Sequence, residues 1–549
     1  MIRLVTDLPR TFVRHFRAFR KYTGKHMFAL TALNIVMSWA EGIGIALFFP
    51  LLSGTGGNDA LSSAFTSVLG VLGTGIATAP ALGASAAAAV DTQRLKSAEQ
   101  DPDDWWHATK EAIKGVLREA RIDGGSVKGI GFSGQMHGLV MLDSHGKVIR
   151  PSLIWCDQRS QAQVDGIHSH VGRDRVIQWT ANPAITGFTL PKLLWVRDNE
   201  PENFERLRTV LVPKDYVRYM LSGELAQDVS DASGTGLFDV VNRKWSRALM
   251  EALDLPIGWF PPVFESSEIC GRVSAEAAAE TGLRMGTPMV AGAGDQAASA
   301  VGNGIVEPGI ASCTLGTSGV VFAHMNSPAF DPEGRVHTFC HAVPGKWHVM
   351  GVTQGAGLSL QWFRNTLAPG ADYDSLMAEA SQAPLGSDGL FWLPYLMGER
   401  TPHLDASARG GWIGLTARHT RAHLIRSIIE GVSFSQKDCL DVILELGVEI
   451  SMVRASGGGA RSALWREILA GVFMRRIATP EAQEGSAYGA GLLAMAGTGG
   501  FSSVTEACAA CIADVNNIDP RTRESVAYTR CHEIYRTLYP TLKATFRLL

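Results

Sequence analysis

An α/β fold is predicted by three stretches in which an apolar run meets glycines, the first and third leading on to a helix. The first is residues 289–302, where Met289, Val290 and Ala291 lead through Gly292 and Gly294 to Asp295, Gln296 and a run of small residues. The second is residues 313–321, a turn of Gly316, Thr317, Ser318 and Gly319 between apolar runs. The third is residues 453–462, where Val453 to Ser456 run into Gly457, Gly458 and Gly459. Strand ends that meet helices through glycine are where α/β folds carry ligands. A glycine and hydroxyl turn offers backbone N–H groups to a phosphate. An acid near such a turn fits phosphoryl transfer, although two ordinary tight turns would read the same way. The triple glycine fits a nucleotide lying close to the backbone, or a plain loop.

The 549 residues predict more than one domain. A net charge of -3 excludes a general nucleic-acid footprint. Eight scattered cysteines fit a reducing cytoplasm better than a disulfide scaffold. Cys508 and Cys511 have redox or zinc spacing without a second pair, so no metal ligands are assigned.

Residues 1–94 read differently from the rest. Arg3, Arg10, Arg14, Arg17, Arg20, Lys21 and Lys25 form a basic lead. Residues 27–52 then contain one charge, Glu41, in a run long enough to span a bilayer, which takes ~20 apolar residues. The lead would stay cytoplasmic. Residues 60–90 carry no charge and read as a second span or a linker.

From Ser97 the chain becomes globular. Asp101 and Pro102 start a helix whose buried side carries Trp105, Trp106, Ile113 and Leu117, with Gly124 and Gly125 ending it. Residues 127–132 read as a strand that delivers Gln135, Met136, His137 and Gly138. An imidazole and an amide beside a thioether suit hydrogen bonding to a small polyol, though a lone histidine after a strand is often structural. A hairpin is expected around residues 143–146. Asp157, Gln158 and Arg159 fit hydroxyl binding or a helix cap. Residues 187–196 and 212–219 each lead into a helix, and residues 226–236 read as a hinge or pocket wall of turn formers. Residues 347–355 form a strand and glycine turn. A long amphipathic helix containing Glu430 is expected over 421–446. Gly485, Gly489 and Gly491 mark a close-packed helix.

Taken together, these stretches resemble the FGGY carbohydrate kinases. Residues 187–199 and 410–430 match the family's two long signatures in order and spacing, and the likeness covers about residues 95–540. Within the family, Gln135 to Gly138, Pro213 to Tyr216 and Gly398 to His403 resemble members that phosphorylate D-xylulose. The resemblance implies two ribonuclease-H-like, actin-like α/β domains, 95–305 for sugar and 306–549 for ATP, around a cleft. Asp295 matches the catalytic base, and Met136, His137, Asp295 and Gln296 match sugar-contacting positions. Gly316, Thr317 and Ser318 match a phosphate loop, and Gly457, Gly458 and Gly459 match the adenosine loop. ATP and Mg²⁺ are the implied cofactors, and a homodimer is a compatible assembly.

One departure stands out. Family members begin with a strand and Asp-Leu-Gly-Thr-Ser, a first phosphate loop whose acid helps hold Mg²⁺. Nothing before Glu99 matches it. Val71 to Gly75 comes nearest, with Val71 in the acid's place. Residues 27–52 instead resemble the first transmembrane helix of an ABC exporter permease, yet no Walker A pattern follows. The expected activity is therefore phosphorylation of D-xylulose to D-xylulose 5-phosphate, impaired by the missing loop, with a cytoplasmic kinase body and a candidate inner-membrane anchor. The competing readings are an inactive sugar- or nucleotide-binding relative tethered to a membrane, and a kinase for gluconate, ribulose or glycerol.

Overall fold

A computed structural model describes residues 97–481 and 485–549. The features read in residues 1–94, including the span at 27–52, lie outside the described residues. Among the described residues, no helix is long and apolar enough to cross a membrane.

The second lobe is built on one sheet of seven strands. Its order is His337–Cys340, Trp347–Thr353, Gly319–Met325, Gly309–Leu315, Ile450–Ser456, Arg476–Pro480 and Asp514–Ile518. The first four run antiparallel to their neighbours. Ile450–Ser456 is parallel to Gly309–Leu315, and Arg476–Pro480 is parallel in turn to Ile450–Ser456. Three antiparallel strands extended by two parallel ones form the ribonuclease-H-like core that the resemblance implied.

The predicted amphipathic helix is Arg421–Glu445. It lays Ile425, Ile428, Ile429 and Val432 into the core that also holds Val321, Val349 and Trp392. Glu430 is the polar exception on this buried stripe. It accepts from the Gly386 N–H (3.0 Å), the Ser387 hydroxyl (2.8 Å), Arg426 Nε (2.9 Å) and the Tyr528 hydroxyl (3.0 Å). A buried carboxylate satisfied four ways joins three segments of the lobe. Glu430→Ala strands Arg426 and the other donors, and is expected to cost about 3–5 kcal/mol of stability. A lower denaturant midpoint with an unchanged slope would register that loss.

The first lobe is assembled from shorter pieces. The helix predicted at Asp101 is Pro102–Ala120, with Asp101 accepting from the Asp103 N–H and Pro102 at its start. It ends at Arg121 in the left-handed region, before the glycines expected to stop it. Its Trp105, Trp106, Ile113 and Leu117 pack with Val127, Ile130 and Phe132. Of the strand expected over 127–132, only the bridge at Ile130 and the strand Ser133–Gly134 form. Their partners are Met289 and the strand Ala293–Gly294, both parallel. Among the described residues no strand pairs with the opposite edge. The hairpin around Asp143 forms, with the Asp143 N–H donating to Lys147 O at 2.9 Å.

Residues 226–236 are not an open hinge. They hold a short helix, Val229–Ser233, capped by Asp228, and every residue from Gln227 to Ser233 is buried. The helix Gly485–Gly497 packs against Asp295–Gly302 at very close range, as its glycines predicted. A Cβ built on Gly489 would lie 1.8 Å from Ala298 O, so no side chain fits there. The lobes meet where Met136 and Phe188 pack against Phe322, Phe339 and Met350.

Candidate active site

Because Ser133–Gly134 and Ala293–Gly294 run parallel, both strands release their next residues at the same edge. One delivers Met136 and His137, and the other Asp295 and Gln296. Met136 is buried against both glycines that flank it: a Cβ on Gly294 would lie 2.7 Å from Met136 Cγ, and one on Gly234 2.9 Å from its Cε. His137 adopts φ +69°, a backbone conformation uncommon outside glycine and one of those that gather at functional sites. Its Nδ1–H donates to Gly234 O at 2.6 Å. Burial pushes the imidazole down to about 3, so it is neutral at physiological pH. With Nδ1 donating, Nε2 is left as an acceptor, suited to a ligand hydroxyl.

Asp295 opens the helix Asp295–Gly302 and is partly exposed. It accepts from the Gln296 backbone N–H at 2.8 Å and the Gln296 side chain at 3.4 Å. Burial raises its carboxyl to about 6 against those two hydrogen bonds. A carboxylate tuned toward neutrality at a strand end is a fitting general base.

Beneath these residues lies a charge cluster that the sequence reading missed. Lys214 Nζ sits 2.5 Å from Asp215, 3.0 Å from Asp228 and 3.8 Å from Asp231, and donates to Ala291 O at 3.1 Å. Arg218 joins Asp215 at 3.0 Å and Ala291 O at 3.1 Å. All five side chains are buried. Burial pushes the Asp231 carboxyl well above the usual carboxylate range, outweighing Lys214, while Asp228, Asp215 and Asp295 add to the rise. The cluster clamps Ala291, four residues before Asp295, and Ser230 in the same helix accepts the Gly294 N–H at 3.1 Å. The signal available in the sequence was Lys214, Asp215 and Arg218 on one short helix that also carries Tyr216, Val217 and Leu221. Lys192 was missed in the same way. It is fully buried and donates to His137 O (2.9 Å) and Gly187 O (2.6 Å). Burial lowers it to about 7.

Asp157, Gln158 and Arg159 are occupied within the protein. Asp157 is buried, accepts the Ala98 N–H at 2.7 Å and pairs with Arg159 at 2.8 Å, while Gln158 accepts from the Thr186 hydroxyl at 2.5 Å. Gln135 donates to Gln100 at 2.9 Å.

In the second lobe the two predicted turns are neighbours. The strands Gly309–Leu315 and Ile450–Ser456 pair up to Thr314 and Ser456, whose hydroxyls lie 3.0 Å apart. Gly457 follows at φ +82°, and a Cβ there would meet Leu315 O at 2.7 Å and Gly316 N at 3.1 Å. Thr317, Ser318, Gly457 and Gly458 are exposed, while Gly316 and Gly459 are partly so. The start of the helix Gly357–Leu367 donates into the first turn, Gly357 N–H to Gly316 O at 2.7 Å. The structure thus brings Met136, His137, Asp295 and Gln296 together, and separately joins residues 316–318 to 457–459. Among the described residues, no hydrogen bond links the two groups.

Magnesium carried with nucleotide phosphates asks for one or two carboxylates and water. Asp295, bonded only to its neighbour Gln296, fits one such donor. Asp438, Asp441 and His532 also lie within reach of one another. They are committed elsewhere, Asp438 to His532 at 2.8 Å and Asp441 to Lys437.

The N-terminal domain of the FGGY family of carbohydrate kinases matches residues 82–302, and the family's C-terminal domain matches 311–498. The chain belongs to the FGGY family of carbohydrate kinases. It is 36% identical over 445 residues to a xylulose kinase of Bacillus subtilis, covering 81% of this chain and 89% of that one. A xylulose kinase of Escherichia coli is 39% identical over 445 residues, 81% of this chain and 90% of the other. The crystal structure of a xyloylose kinase from Brucella ovis superposes with a TM-score of 0.76 at 38% identity, over 82% of this chain and 92% of that one. An FGGY kinase is a phosphotransferase acting on a sugar, so the two groups of residues fall on a fold that joins a sugar to ATP.

Proposed function

We propose that the chain phosphorylates D-xylulose with ATP, giving D-xylulose 5-phosphate and ADP. The observation that carries this reading is the pairing of Met136 and His137 with Asp295 at one sheet edge, in a chain similar over four-fifths of its length to xylulose kinases. The domains divide at 305, with sugar held by 95–305 and ATP by 306–549. The sugar lies against Met136, with the His137 Nε2 and the Gln296 amide as its hydrogen-bond partners. Asp295 accepts the proton of the attacking hydroxyl as that oxygen reaches the γ-phosphorus. Gly316, Thr317 and Ser318 take the phosphates, and Gly457, Gly458 and Gly459 lie along the adenosine. Mg²⁺, when bound, offsets phosphate charge, with Asp295 as a carboxylate within the site. The closeness of the reacting groups contributes more than basicity alone. The need for ATP supports a cytoplasmic kinase body.

Calorimetric titration with D-xylulose, gluconate, ribulose and glycerol tests the assignment. D-xylulose is expected to bind most tightly. His137→Ala is expected to weaken D-xylulose by about 10-fold, the loss of one buried hydrogen bond, while ATP binding holds. Tighter binding of another sugar, or equal losses for both ligands, would overturn it.

A further inference from the structure

Arg400 stands out among the charged side chains near the sugar-side residues. Its backbone is held from both directions. Glu399, buried just before it, accepts the Gln354 N–H at 2.9 Å and the Arg400 N–H at 2.8 Å. Thr401, buried just after it, donates its N–H to Val352 O at 2.9 Å, accepts the Val352 N–H at 3.1 Å, and donates its hydroxyl to Arg335 O at 2.7 Å. Two buried polar residues thus fasten the segment to the strand Trp347–Thr353 of the second lobe. The guanidinium they position makes no hydrogen bond or ion pair with any described residue.

It reaches the first lobe. A Cβ built on Gly187 would lie 3.7 Å from Arg400 Nη2. Gly187 O is an acceptor of Lys192, which also holds His137 O. The charge of Arg400 is felt at His137, Lys192 and His337, and burial lowers the guanidinium despite Glu399. Lys192 spends two of its N–H donors on carbonyls, and His137 presents an acceptor. The Arg400 guanidinium adds free donors on this side of the site. A guanidinium left unpaired in such surroundings is costly unless a ligand completes it.

We infer that Arg400 is a specificity-determining residue that crosses from the second lobe and donates hydrogen bonds to hydroxyl or carbonyl oxygens of the sugar beside His137. Its five N–H donors complement the acceptor that His137 offers, so the ligand's oxygens meet a donor and an acceptor from opposite lobes. The role rests on the sugar-kinase reading above.

The test is calorimetric titration of the intact chain and of Arg400→Gln and Arg400→Lys with D-xylulose and, separately, with ATP. Thermal melts of each variant report folding. Arg400→Gln is expected to weaken D-xylulose by about 10- to 100-fold and leave ATP unchanged. Arg400→Lys is expected to recover part of that loss, because it restores the charge without the fork. Unchanged D-xylulose affinity in a folded Arg400→Gln protein would overturn the role and leave the kinase reading standing. Equal weakening of both ligands would reduce Arg400 to a structural residue. Failure of the unaltered chain to bind D-xylulose would overturn the reading and the role with it.

Discussion

Asp295→Asn is expected to lower any D-xylulose-dependent ADP release by about 10²–10⁴-fold, the range for removing a positioned base. The change is nearly isosteric, and asparagine's carbonyl can still accept the Gln296 N–H that Asp295 accepts at 2.8 Å. The fold has a physical reason to survive. Burial raises the Asp295 carboxyl from its ordinary value to about 6. The folded state therefore binds the proton more tightly than the unfolded chain, and stability from this group is lost as pH rises through that window. At neutral pH the ionised carboxylate works against folding, and asparagine removes that cost. The expected outcome is a dead or nearly dead enzyme with an unchanged or higher melting temperature. The same value sets the acid limb of the rate profile. Activity of the unaltered chain should fall as pH drops below about 6, because the base is then protonated. An Asp295→Asn protein that keeps its rate, or an acid limb indifferent to that substitution, would remove Asp295 from the role of base.

What the sequence makes legible here follows from how locally each feature is encoded. The strands ending at Ala293–Gly294 and Ile450–Ser456, and the helix Arg421–Glu445, carry their own periodicity and glycine punctuation, so they were visible. Gly489 was visible for the same reason. The cluster was not, because Lys214, Asp215 and Arg218 lie on one helix and Asp228 and Asp231 at another, and each residue alone reads as a solvated charge. Residues 226–236 were read as turn formers for that reason, although Asp228 caps a buried helix. Arg400 sits in a stretch that carried the family likeness, but its value lies in a guanidinium without a partner among the described residues, which no sequence displays. The strand over 127–132 failed for a different reason: a strand is defined by its neighbours, and its second neighbour is not among the described residues.

That missing neighbour leads to the other large effect. Replacing residues 1–94 with an FGGY N-terminus carrying Asp-Leu-Gly-Thr-Ser is expected to raise D-xylulose turnover by about 10²-fold or more. The second lobe supplies the comparison. There, Ile450–Ser456 is flanked on both sides, by Gly309–Leu315 and by Arg476–Pro480, and the turn after Leu315 is the one proposed above to hold phosphates. In the first lobe the corresponding strand, Ser133–Gly134, has its parallel partner at Ala293–Gly294 and no described strand on its other edge. The position answering to Gly309–Leu315 is where the family's Asp-Leu-Gly-Thr-Ser strand belongs. On the proposed reading, that loop would join residues 316–318 in holding the γ-phosphate and Mg²⁺. Phosphoryl transfer depends on keeping them in line with the attacking oxygen, and small misplacements cost about 10²-fold. A coupled ADP assay on the two proteins decides the matter. If the unaltered chain turns over D-xylulose as fast as the grafted one, residues 1–94 already supply the first loop's function, and impairment is the wrong reading of this N-terminus.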